Sequence, residues 1–129
     1  MKKGILISIH SNACGCGNKW MEAKGWSAWT TVGKTNSDLL AECLYNAAEK
    51  ILKPLGQKIR TDKSDGDKDY ESNFTIIYKA NMPAVLTENM FYDNIEDVKF
   101  LNSDEGKRAI AQVHLEGILE FAKNYLNNF

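Results

Sequence analysis

ILISIHSNA, residues 5–13, is the stretch on which the reading of this chain turns. Ile5, Leu6, Ile7 and Ile9 make a nearly continuous apolar run, too short for a helix and rich in β-branched residues, as in a parallel strand buried on both faces. The run breaks into polarity at Ser8, His10, Ser11 and Asn12. A buried strand that turns polar toward its carboxyl end has reached the edge of the core, and in open α/β sheets ligands bind at that edge. His10 therefore stands where a site would be. The alternative is a histidine that closes the strand by hydrogen-bonding a neighbouring loop.

A second run, MPAVLTENMFYDN at residues 82–94, has the same form. Pro83 suits the first position of a strand. Ala84, Val85 and Leu86 follow, and the run breaks at Thr87, Glu88 and Asn89. If the two strands are parallel neighbours, His10 and Glu88 reach the same rim of the sheet. An N-cap or a plain surface acid is the alternative for Glu88. A carboxylate ending a buried strand is costly without a partner, which favours a functional role.

Between and after these runs the chain alternates strand-like and helix-like segments. Residues 25–32 (GWSAWTTV) read as a second strand, with Trp26 and Ala28 on one side and Ser27 and Trp29 on the other. Thr35 and Asp38 form an N-cap pair for a helix over residues 37–53, whose stripe is Leu39, Leu40, Cys43, Leu44, Ala47, Ile51 and Leu52. Pro54 and Gly56 stop it.

The mixed-charge segment RTDKSDGDKDYES at residues 60–72 reads as a solvated loop, since its acids miss the register of a helix-loop-helix calcium site. FTIIYK at residues 74–79 returns to the core as a short strand or helix. Asn94 and Asp97 cap a short helix ending near Leu101. Ser103, Asp104 and Glu105 open a long final helix whose stripe of Ile110, Val113, Gly117, Ile118, Phe121 and Tyr125 packs on the sheet. His114 lies on that stripe as a packed core histidine.

Composition narrows the classes. At 129 residues the chain is expected to be a single domain, 1–129, and 43% hydrophobic residues supply a core. Sixteen Lys plus Arg against 17 Asp plus Glu leave a net charge of −1, so neither nucleic acid nor an anionic membrane is expected as a partner. Three cysteines argue against a disulfide framework. Cys43 reads as a small core residue. Cys14 and Cys16 read as free thiols in a Gly-rich loop, with a soft metal site built together with His10 as the alternative. The opening Met1-Lys2-Lys3 is followed by an apolar run too interrupted for a secretory signal, so the chain is expected to be cytoplasmic at synthesis.

SIHSNA at residues 8–13, followed by a Gly-Trp strand, a helix and PAVLTENMFYDNIEDVKFL at residues 83–101, resembles the C-terminal portion of the zinc-dependent N-acetylmuramoyl-L-alanine amidases, prophage endolysin-like members in particular. The resemblance runs in order from about residue 5 to residue 125. It implies an α/β fold with a mostly parallel sheet flanked by helices, Zn2+ as cofactor with His10 as a ligand, and Glu88 as the catalytic acid or base. The implied substrate is peptidoglycan, cut at the amide between the lactyl group of N-acetylmuramic acid and L-alanine. The family's two other zinc ligands lie upstream of anything equivalent to Ile5, so an N-terminally truncated, incomplete amidase-like domain is expected. Loss of the first strand would expose apolar surface and an unpaired strand edge, covered by self-association into a homo-oligomer. The competing reading is a catalytically silent remnant that binds peptidoglycan or a protein partner.

Overall fold

A computed structural model describes residues 4–128 of the chain. Four strands form one sheet: β1 (Leu6–Asn12), β2 (Ser27–Thr30), β3 (Tyr70–Glu71) and β4 (Ala84–Phe91). Their order is β1-β4-β2-β3. The β1–β4 and β2–β3 pairings are parallel and β2–β4 is antiparallel, so the sheet is mostly parallel. Helices α1 (Asn36–Leu52), α2 (Thr75–Tyr78), α3 (Ile95–Asn102) and α4 (Asp104–Asn124) flank it.

Successive side chains of a strand point to opposite faces. On one face Val85, Ala28 and Trp26 join the main core under α1 and α4, with Ile5 and Ile7 packed against it. On the other face Ala84, Leu86, Leu6 and Trp29 meet Ile77 of α2 in a smaller cluster. The apolar run at the start of the chain thus serves two cores, one through its odd residues and one through Leu6.

It is nonetheless not buried on both faces along its length. Among the described residues β1 is an edge strand, its only buried residue is Ser8, and Ile9 is 60% exposed. A strand flanked on one side only leaves its far end open, whatever its residues. Nor do the apolar-to-polar breaks end the strands, since β1 runs on to Asn12 and β4 to Phe91. In β1 the polar end lies open to solvent, whereas in β4 Thr87, Asn89, Met90 and Phe91 stay buried and only Glu88 is half-buried.

The helix starts follow their capping residues. Thr35 Oγ1 accepts from the Ser37 N–H at 3.2 Å while the Thr35 N–H donates to Asp38 Oδ2 at 3.0 Å, closing a capping box. Asn94 Oδ1 accepts from the Asp97 N–H at 3.0 Å, and Ser103 Oγ from the Gly106 N–H at 2.9 Å, fixing α3 and α4.

α4 packs chiefly along α1 rather than on the sheet. Gly117 permits this close approach, for a Cβ there would lie 2.6 Å from Leu44 Cδ2 and 3.0 Å from Leu44 Cα. The segment at residues 74–79 is helical and returns only Ile77 to the core, leaving Ile76 and Tyr78 exposed. The charged loop is partly ordered into the sheet through β3, where the Tyr70 ring stacks on Trp29 with centroids 4.8 Å apart. Among the described residues no helix is long and apolar enough to cross a membrane.

Candidate active site

His10 and Glu88 are direct partners in the parallel ladder between β1 and β4. In-register partners on neighbouring strands, about 4.8 Å apart, project from the same face. Here that face is the one opposite α1 and α4. Glu88 is also paired with Ser27 of β2, so its carboxylate stands between two strands while His10 stands on the outer one. Ser8 Oγ and His10 Nε2 are hydrogen-bonded at 2.9 Å.

Glu88 is half-buried, and its Oε2 has neither solvent nor a hydrogen-bond partner. Burial raises its pKa above the ordinary glutamate value, with the His10 charge pulling the other way. A carboxylate so placed is poised to take up a proton. The backbone just beyond it is irregular. The register shifts between His10 and Asn12, and Met90 adopts φ 65°, a left-handed conformation unusual for a residue with a side chain. Irregularities of this kind collect beside functional sites, where they re-aim side chains.

The support beneath the pair is a buried polar chain. Asn89 Nδ2 donates to the His10 carbonyl at 2.9 Å and to Thr87 Oγ1 at 3.0 Å, and Asn89 Oδ1 accepts from Trp26 Nε1 at 2.8 Å. Thr87 Oγ1 continues to His114 Nε2 at 2.8 Å, and His114 Nδ1 reaches the Ile110 carbonyl at 2.7 Å. A carbonyl only accepts, so Nδ1 carries the proton and Nε2 accepts from the threonine hydroxyl. Burial lowers the His114 pKa, which keeps that neutral tautomer. His114 is thus a packed histidine that braces β4 from behind, and through this bond α4 reaches the sheet.

The family model for N-acetylmuramoyl-L-alanine amidase matches residues 1–120. This chain belongs to the N-acetylmuramoyl-L-alanine amidase family.

Similar to this amidase-family chain are the endolysin of Bacillus phage SPP1, 30% identical over 122 residues, and the N-acetylmuramoyl-L-alanine amidase CwlM of Bacillus licheniformis, 34% identical over 114. The alignments cover 92% and 88% of this chain but 40% and 38% of those proteins. The chain therefore spans about two fifths of the length of these relatives. The crystal structure of N-acetylmuramoyl-L-alanine amidase from Clostridium difficile 630 superposes with a TM-score of 0.78 at 24% identity, over 94% of this chain and 59% of that one. This likeness shows the α/β fold.

A catalytic zinc takes three protein donors and keeps a fourth position open. Among the described residues this amidase-family site offers one imidazole, His10, with Glu88 beside it. Cys14 and Cys16 are exposed, and their sulfurs do not gather with His10 into a three-donor group. The group of metal-ligating type that does gather is Asp38, Asp67 and Asp69, with donor atoms all within 4.8 Å of one another, beside a cavity of about 800 Å³.

Asp69 is anchored there by the Thr30 hydroxyl at 2.6 Å. Burial and the neighbouring Asp69 and Asp65 push the Asp67 carboxyl up to about 7. Thr30 lies three residues along β2 from Ser27, the partner of Glu88, which is about 10 Å by strand rise. Three carboxylates suit a hard cation rather than zinc, which favours nitrogen and sulfur donors. The described residues therefore do not complete a zinc site at His10.

Asn89 and Asp93 are neighbours of the candidate site to which the sequence assigned no role. The cost of burying polar groups at a strand break, used above for Glu88, applied equally to Asn89 one residue on. Asp93 carried no such signal.

Proposed function

We propose that this chain carries the reactive pair of a peptidoglycan amidase, hydrolysing the amide between the lactyl group of N-acetylmuramic acid and L-alanine. The observation that carries this reading is the pairing of His10 with Glu88 across the ladder, with Glu88 Oε2 unpartnered, in a member of the amidase family. In this reading Glu88 accepts a proton from the attacking water as its oxygen bonds to the amide carbon. The same carboxyl then delivers that proton to the alanine nitrogen as the C–N bond breaks, leaving a lactyl carboxylic acid, whose remaining proton passes to the released amine to give carboxylate and ammonium. His10 orients beside it, held through its backbone by Asn89 and through its ring by Ser8.

Zinc dependence belongs to the proposal too. His10 would be one donor; Met1, Lys2, Lys3 and Phe129, outside the described residues, add no imidazole, thiolate or carboxylate side chain, and a metal held at His10 would lower the pKa of its water. Release of new amino termini from purified cell walls, with and without added zinc, tests the assignment. The wild-type chain releases them and E88Q falls by a factor on the order of 10² to 10⁴. Full activity in E88Q overturns it.

The incomplete donor set favours one second reading, a silent module that binds peptidoglycan or a protein partner. Co-sedimentation with cell walls but no release of amines under any metal condition would establish it. We also propose that copies of the chain associate along the free edge of β1, where Ile9 is exposed. Synthesis in the cytoplasm followed by action on the wall after release completes the reading.

A further inference from the structure

The loop joining β1 to β2 is clamped at both ends by the two residues that follow Tyr92. Asp93 Oδ2 accepts from the N–H groups of Cys14 and Gly15, each at 2.8 Å. The Met21 N–H donates to the Asp93 carbonyl at 2.7 Å, and Asn94 Nδ2 donates to the Met21 carbonyl at 3.1 Å. Between these anchors Gly17, Asn18, Lys19 and Trp20 face Tyr92 and Asp93 across a cleft of about 410 Å³.

Two large aromatic side chains at this cleft are left open to solvent, Trp20 at 58% and Tyr92 at 56%. Asp93 is only 4% exposed, and its Oδ1 has no hydrogen-bond partner. Carbonyl and carboxylate oxygens buried without a donor are uncommon and costly. The cleft therefore combines two exposed rings with an acid whose Oδ1 is unpaired and closed off from solvent.

The cleft adjoins the reactive pair. The Tyr92 N–H donates to the Asn12 carbonyl at 2.9 Å, two residues beyond His10 and four beyond Glu88 along their strands. The cleft therefore lies beyond the same ends of β1 and β4 that carry the pair.

We propose that this cleft is a carbohydrate subsite that holds an N-acetylated hexosamine of the glycan strand while the amide lies over Glu88. The inference rests on the amidase reading for the identity of the polymer. A pyranose ring has an apolar C–H face, which packs on an indole or phenol ring, and a rim of hydroxyl and amide donors suited to an acceptor such as Asp93. The stem peptide fits less well, because its carboxylates would meet the Asp93 charge with only Lys19 as a cation on the lining. The two-ended clamp sets the loop before the sugar arrives, which lowers the ordering cost of binding. Binding at a remote subsite of this kind contributes to the barrier at the reacting amide.

The test is an NMR titration with peptide-free oligosaccharides of N-acetylglucosamine, a probe without the scissile amide. The wild-type chain binds saturably. W20A and Y92A each weaken binding tenfold or more with unchanged thermal unfolding, both residues being exposed, and Y78A, an exposed aromatic on α2 outside the cleft, binds as wild type. Equal binding by W20A and Y92A, or no binding by the wild type, overturns the subsite. Saccharide binding lost in W20A and Y92A by a chain that releases no amines from cell walls leaves the subsite standing and removes the amidase reading.

Discussion

Asn89 joins three parts of the molecule with one side chain, the His10 backbone, the Thr87–His114 relay and the Trp26 indole. Replacing it with alanine leaves the Trp26 N–H buried without an acceptor and frees the strand that carries His10. N89A is expected to lose about 2–3 kcal/mol of stability, read by denaturant unfolding. Glu88 has the opposite sign. Its raised pKa means that the charged form is unfavourable in the fold, so E88Q should unfold at a higher temperature than wild type at neutral pH. The folded His114 pKa is lowered from 6.5, so as pH falls below that value the unfolded chain takes up its proton first. Stability is therefore full above 6.5 and declines below it, and H114Q should flatten that part of a stability–pH profile. That His10 and Glu88 stand side by side on the sheet was legible, because each lies at the polar end of an apolar run. The roles of Asn89 and Asp93 were not, because their long-range partners lie 63 to 79 positions away and only the fold names them. Asp97 was readable as part of a cap. That its Oδ2 also accepts from the Gly25 and Phe91 N–H groups, each at 2.9 Å, was not.

At the scale of elements, the caps and helical stripes were plain in the sequence because capping is local and periodicity repeats. The partner of a helix face is not local. The stripe of α4 was assigned to the sheet, whereas Gly117 seats it on Leu44 of α1. G117A tests this contact. Alanine improves helix propensity by up to about 1 kcal/mol, yet its Cβ must displace Leu44 or part the helices, and overpacking costs about 1–3 kcal/mol. A net loss of stability by thermal unfolding is expected. Strand ends were misjudged in both directions: β1 and β4 run on past their first polar residues, whereas the strand expected over residues 25–32 pairs only over Ser27–Thr30.

Across the whole molecule, the fold class was readable from two short apolar runs separated by helical stripes, whereas the place of β1 in the sheet was not. A sequence records how apolar a strand is but not how many neighbours it has. If copies meet along that edge, the mass measured by light scattering rises with concentration and I9K, which sets a charge on the edge strand, lowers it. A constant monomer mass would exclude the association.

The two members of the proposed reactive pair are held unequally. Glu88 belongs to a strand gripped from both sides, whereas the imidazole rides on the outermost ribbon, fastened along one flank. Fraying begins on ribbons of that kind. Amide hydrogens of β1 should therefore exchange with deuterium sooner than those of β4, and each opening would carry His10 away from a stationary carboxylate. Whatever docks beside β1, be it another stretch of polypeptide or a twin molecule, would then govern how much of the time the two groups stand close enough to act together.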